Sequence, residues 1–187
     1  MTFDQFEYSR PDMAALNQKF DRYLSGFQNA ASVTVQSRKL TQINELRKSF
    51  STMYNLCVVR HTCNTADAFY DAENTYFDEQ LPAFEALNNR FYEALLRSPF
   101  RGALEEKCGE QLFVLAEMAL KTFQPAILEN LQQENTLGSE YTKIKATARI
   151  SFDGTVYNLS SLNAIEVSED REVRRRAAEA KCSFFQE

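Results

Sequence analysis

Histidine is nearly missing from this sequence: His61 is the only one in 187 residues. A zinc hydrolase site takes two or three imidazoles, and the His-Glu-x-x-His pattern needs two of them four residues apart. A carboxylate-bridged di-iron bundle would need a Glu three residues before the histidine, and Val58 stands there. Glycine is scarce as well, with five residues and no Gly-x-Gly-x-x-Gly, nor a Gly-rich loop ending in Gly-Lys-Ser/Thr. Tryptophan is absent, but fifteen Phe and eight Tyr supply the bulk a core needs.

Other absences bound the protein further. Few Gly and Pro beside 12% aromatics exclude collagen-like, linker-like and disordered classes. No apolar run approaches the roughly 20 residues of a membrane span. Met1-Thr2-Phe3-Asp4-Gln5 has neither the basic nor the apolar region of a signal peptide. A net charge of −5 has the wrong sign for broad binding to a phosphate backbone, so neither nucleic acid nor membrane is an expected partner. Cys57, Cys63, Cys108 and Cys182 are few and scattered, which fits reduced thiols and a cytoplasmic location.

What is present is helical periodicity. Pro11 and Asp12 suit a first helical turn, and Met13, Leu16, Phe20, Leu24 and Phe27 form one apolar stripe ending near Gly26 and Asn29. A second helix is predicted from about Val35 to the low sixties, through Leu40, Ile43, Phe50 and Cys57. Thr65 is the expected N-cap of a third, carrying Phe69, Glu73, Tyr76, Phe77, Leu81, Phe84, Leu87 or Asn88, Phe91 and Leu95. Pro82 predicts a kink or boundary inside it. Ser98-Pro99 marks a start and Gly109 a stop. The near-continuous apolar run from Leu112 to Phe123 predicts a helix buried on more than one side. Gln124-Pro125 interrupts, and helix resumes to about Lys145.

The period then changes. Ala146–Phe152 and Thr155–Leu159 alternate around Asp153-Gly154, a pair that fits a two-residue hairpin turn. Ser168 is the expected cap of a last helix with an acidic start, a basic body and a stripe of Val173, Ala177, Ala180 or Lys181, and Phe184. That helix ends in mid-pattern at Glu187, which predicts a longer parent chain. The expected fold is mainly α: an array of long antiparallel amphipathic helices with one β-hairpin near residues 146–159. Residues 1–108 form an N-terminal helical region, and 109–187 the helices and hairpin that start the next.

Each candidate for chemistry has a plainer reading. Cys57, His61 and Cys63 would need Cys108 and Cys182 from afar to make a zinc site; buried thiols and one ordinary imidazole are simpler. Cys57 and His61 share a helix face, but no oxyanion donor or orienting partner is visible for a catalytic pair. Asp67, Asp71, Glu73, Asp78 and Glu79 form an acidic stretch, in which Asp67 and Asp71 read as a solvated face at a helix start. Arg171, Arg174, Arg175, Arg176 and Lys181, interleaved with Glu169, Asp170, Glu172 and Glu179, read as helix-surface pairs. No catalytic, cofactor-binding or metal residue is assigned.

Several ordered stretches together resemble the N-terminal part of the oligoendopeptidase F family of zinc metallopeptidases, which is thimet-oligopeptidase-like. They are Tyr8-Ser9-Arg10-Pro11-Asp12; Ile43–Arg47 with Ser51–Tyr54 and Val59–Thr62; Phe69–Asn74 with Tyr76–Glu79 and Pro82; Ser98–Arg101; Ala119–Phe123; Ser139–Lys143; and Asp170–Arg174. One departure is Asn163–Val167, where the family has a Gly-Pro-containing turn.

The resemblance implies the helical lobe of a clam-like peptidase. In that family a larger lobe carries His-Glu-x-x-His and a downstream Glu, and zinc there activates the water that cleaves short peptides. None of those positions exists in this sequence. The chain then reads as a catalytically empty lobe that shapes one wall of the cleft, its partners being short peptides and a missing catalytic lobe, with self-association through surface that lobe would cover. A stand-alone α-helical interaction module derived from the lobe is the alternative.

Overall fold

The computed structural model describes residues 5–122 and 125–186. Phe123 and Gln124 lie outside it, and with them most of the expected interruption at Gln124-Pro125. The described residues form eight helices and one two-stranded antiparallel sheet. By contact the chain divides into two compact units, Met1–Thr136 and Leu137–Glu187.

The first unit is built on three long helices, α1 (Met13–Gln28), α2 (Val33–Cys63) and α3 (Ala68–Leu96). Short connections force consecutive helices to double back. The pairings show it: Gln36, at the start of α2, reaches Phe27 at the end of α1. Arg47 then meets Tyr92, Phe50 stacks on Phe84, and His61 faces Asp71, so α2 and α3 run antiparallel. The stripes expected from periodicity make the core: Phe20, Phe27, Ile43, Phe50, Phe77, Phe91 and Leu95 have almost no exposure. Phe50 lies 3.9 Å from Phe84 in a near-parallel stack and edge-on to Phe77 at 5.5 Å, arrangements favoured by the ring quadrupole.

Caps depart from the sequence expectation in a consistent way. Asp12, Asp67 and Asp170 hold the N-cap positions of α1, α3 and the last helix, while Thr65 and Ser168 do not. A carboxylate both accepts the orphan N–H groups and meets the positive helix end, which a hydroxyl does less well. Asn64 closes the preceding turn through Ala66 N–H. Pro82 is buried inside α3, which continues through it, so the expected boundary does not occur.

Ser98 Oγ accepts from Phe100 N–H, and α4 (Arg101–Cys108) starts after Pro99 rather than at it. Gly109, where the two expected regions meet, turns the chain with φ +87° between α4 and α5 (Gln111–Thr122) inside the first unit. α5 packs on α3. It is buried on one face only, by Phe113 and Ala116, whereas Val114, Leu115 and Met118 are 40%, 50% and 58% exposed. The expectation of burial on several sides fails because one neighbouring helix can cover only one stripe. A 3₁₀ turn, Pro125–Ile127, leads into α6 (Leu128–Ala146), which has no buried residue.

In the second unit, β1 (Ile150–Phe152) pairs with β2 (Thr155–Tyr157) around Asp153-Gly154, with φ of +46° and +79° as a mirror-image turn requires. Ile150 and Phe152 face a small core with Leu162 and Ala177. These come from α7 (Leu159–Glu166) and α8 (Arg171–Phe184). The Asn163–Val167 departure is therefore the end of a helix and its C-cap, Val167: Asn158 and Ser161 form a reciprocal capping box that starts α7.

Candidate functional surfaces

The residues singled out for chemistry are dispersed. His61 is buried, and its Nε2 lies 3.3 Å from Asp71 Oδ1 across α2 and α3. Of the four thiols only Cys57 is buried; Cys63, Cys108 and Cys182 are exposed, which corrects the expectation of buried thiols, and none forms a disulfide. Cys57 Sγ points to the Tyr70 carbonyl at 3.9 Å rather than to His61. Burial pushes its pKa up to about 12, with Glu73 and Asp78 adding to the rise. A nucleophile needs the opposite shift. Among the described residues no three His, Cys, Asp or Glu side chains come together as metal ligands, so they do not fit a zinc ion.

The acidic stretch of α3 resolves into separate tasks. Asp67 caps the helix and Asp71 faces His61. Glu73 is buried, and it accepts from Tyr8 Oη and from Arg10 Nε and Nη2. The Arg10 hydrogen bonds hold the Glu73 carboxyl below its ordinary range, against the opposing effect of burial, and Tyr8 adds to the lowering. Tyr76 Oη donates to Pro11 O at 2.5 Å, and Arg60 Nη2 to Phe6 O at 2.7 Å. Together they fasten the segment before α1 onto α2 and α3. Of the arginines of α8, Arg175 makes the helix-surface pairs expected, bridging Glu172 and Glu179, while Arg174 donates to the Ser168 and Glu169 carbonyls and Arg176 reaches Asp153 in the hairpin turn.

Sequence reasoning placed Asn88 on the stripe of the third helix as an alternative to Leu87, but it missed the buried amides of Gln36 and Asn89. Gln36 is 1% exposed; its Nε2 donates to Phe27 O at 3.0 Å, and its Oε1 accepts from Ser98 Oγ at 2.6 Å. Asn88 and Asn89 are also buried, and among the described residues the Oδ1 atoms of both lack hydrogen-bond partners. The available signal was a polar residue on a stripe otherwise filled by Phe84, Leu87 and Phe91. Two clefts flank the C-terminal half of α3, of about 290 Å³ and 430 Å³, and Arg90, Glu93 and Arg97 line both.

Residues 3–123 match the Peptidase M3 N-terminal domain. The chain belongs to that family. Solved structures extend the likeness over its whole length. A protein assigned as an oligoendopeptidase F is 48% identical with a TM-score of 0.94, over 100% of this chain and 33% of its own. PZ peptidase A, solved with an inhibitor, is 46% identical with a TM-score of 0.94, over 99% and 33%. A protein assigned as an oligoendopeptidase F from Bacillus anthracis is 42% identical with a TM-score of 0.93, over 100% and 34%. This M3 N-terminal domain thus spans about a third of the length of the solved chains it matches. No curated protein matches it. Among the described residues no helix is long and apolar enough to cross a membrane.

Proposed function

We propose that this chain is the non-catalytic N-terminal lobe of a zinc-dependent oligoendopeptidase, shaping one wall of the cleft in which short peptides are cleaved. The observation that carries the reading is the match over essentially all of this chain to only a third of each oligoendopeptidase F-like relative. A lone buried histidine beside a carboxylate supports assigning the metal and the proton transfers to residues outside this sequence. The lobe acts by shape and backbone contact, restricting the cleft to short unfolded peptides. Three exposed free thiols support a reducing compartment such as the cytoplasm.

The test assays this chain alone on a quenched oligopeptide with added zinc, beside a chelated control. No turnover above that control is expected, and metal-dependent turnover would overturn the assignment. The uncovered face of α5 gives a second handle. If the lobe packs against a catalytic portion, Leu115→Glu should weaken co-purification of the two parts when they are produced separately.

A further inference from the structure

α6 is amphipathic in the reverse of the usual sense. Its half-buried positions include Leu131, Asn135, Ser139 and Thr142, three of them polar. Leu137, Tyr141 and Ile144, four and three residues apart, are 64%, 52% and 54% exposed. That spacing puts them on one face of a helix. No residue of α6 is buried, so packing within the chain does not account for an apolar stripe there.

Two features beside the stripe bear on what would cover it. Glu134, Gly138, Tyr141 and Lys145 form an adjoining row at four-three-four spacing, all of them exposed. Glycine inside a helix costs about 1 kcal/mol against alanine. Among the described residues nothing requires that small size at Gly138, because a Cβ there would meet no atom within 4 Å. The glycine leaves a notch one turn from Tyr141 on the same row. Glu134 and Lys145 bracket the two. Among the described residues neither is in an ion pair, and the Lys145 ammonium lies 5.3 Å from the Tyr141 ring centre.

We propose that α6 is the docking surface for a second copy of this chain, paired antiparallel about a two-fold axis. The row is self-complementary only in that direction. Glu134 and Lys145 are equidistant from the midpoint between Ser139 and Glu140, and so are Gly138 and Tyr141. Reversing one copy therefore makes both matches in a single register. Tyr141 of each copy fills the notch at Gly138 of the other, and Glu134 meets Lys145. Leu137 and Ile144 close the seam alongside. A parallel pair would oppose Glu134 to Glu134 and Lys145 to Lys145, and would leave both notches unfilled. It would also align the two helix dipoles unfavourably. An isologous contact of this kind closes at two copies. Three apolar side chains per copy fall well short of the roughly 800 Å² per partner of a standard interface. The pairing is accordingly weak, with a dissociation constant on the order of 100 μM. The proposal rests on this helix and not on the place of the chain in a peptidase.

The experiment follows the full chain by sedimentation equilibrium up to about 1 mM. A monomer–dimer equilibrium is expected, with no larger species. Glu134→Lys should weaken the dimer at least threefold, as should Lys145→Glu, and the double variant should restore it. Gly138→Gln should weaken association at least tenfold while raising the thermal midpoint of the dilute monomer, because a better helix former replaces glycine. A glycine needed only by the fold would lower that midpoint. Leu115→Glu on α5 should leave the dimer unchanged. A monomer throughout overturns the proposal, as does an open-ended series of larger species. So do single charge reversals without effect, a double variant no tighter than the singles, a dimer indifferent to Gly138→Gln, or a dimer lost on Leu115→Glu.

Discussion

Arg10 Nη2 lies 2.5 Å from Glu73 Oε1, although the two residues stand 63 positions apart in the chain. The carboxylate is buried at the join of α2, α3 and the segment that precedes α1, and Tyr8 shares it. Glu73→Ala leaves both donors without their acceptor and should cost about 2 kcal/mol, reduced from the fully buried case because Arg10 is half exposed. Urea unfolding measures it. The loss should come with faster proteolysis ahead of Pro11.

The same carboxylate sets a pH dependence. Its folded pKa is lowered by Arg10 and then Tyr8, so its contribution is present above the unfolded value of about 4.3 and is lost as pH falls through the folded value. Stability measured from pH 6 down to pH 3 should fall more steeply in the native chain than in Glu73→Gln. Parallel profiles would remove Glu73 from the acid limb.

Cys57 should be silent toward thiol reagents. Its pKa near 12 and its burial leave almost no thiolate at pH 8. Cys63, Cys108 and Cys182 are exposed and should react first. A disulfide-exchange reagent should therefore count three thiols in the native chain and four in denaturant. Four rapid thiols in the native chain would contradict the packing of α2 on α3.

Gln36 joins the end of α1 to the start of α4 through Phe27 O and Ser98 Oγ. Gln36→Leu keeps the volume but removes two buried hydrogen bonds, the one to that carbonyl and the one from that hydroxyl, at an expected cost of about 2 kcal/mol. Thermal unfolding reads it. The double variant with Ser98→Ala should be less destabilised than the sum of the two single variants, because the two side chains bond to each other.

α6 presents Leu137, Tyr141 and Ile144 to solvent, each more than half exposed. A helix that buries no residue draws little support from packing. Self-association at higher concentration is the expected outcome by sedimentation, and Ile144→Glu should return the chain to a monomer. A native chain that stays monomeric across the range counts against this face as an association site.

Much of the architecture was legible in the residues because apolar spacing reports which face of a helix is buried. The stripes through Phe20, Phe50 and Phe91 became the core, and Asp153-Gly154 became the hairpin turn, since few residue pairs tolerate two positive φ angles in succession. His61 as the lone imidazole excluded a multi-histidine metal site before any fold was known. Periodicity is blind, however, to what stands opposite a given face. It could not pair Arg10 with Glu73, bury Gln36 against Phe27, or leave Leu115 and Met118 uncovered, because each outcome depends on which distant segment arrives. Local spacing determines the elements. Long-range packing alone decides which polar groups are buried and answered, like Gln36, and which, like Asn88 Oδ1 and Asn89 Oδ1, are buried without a partner among the described residues.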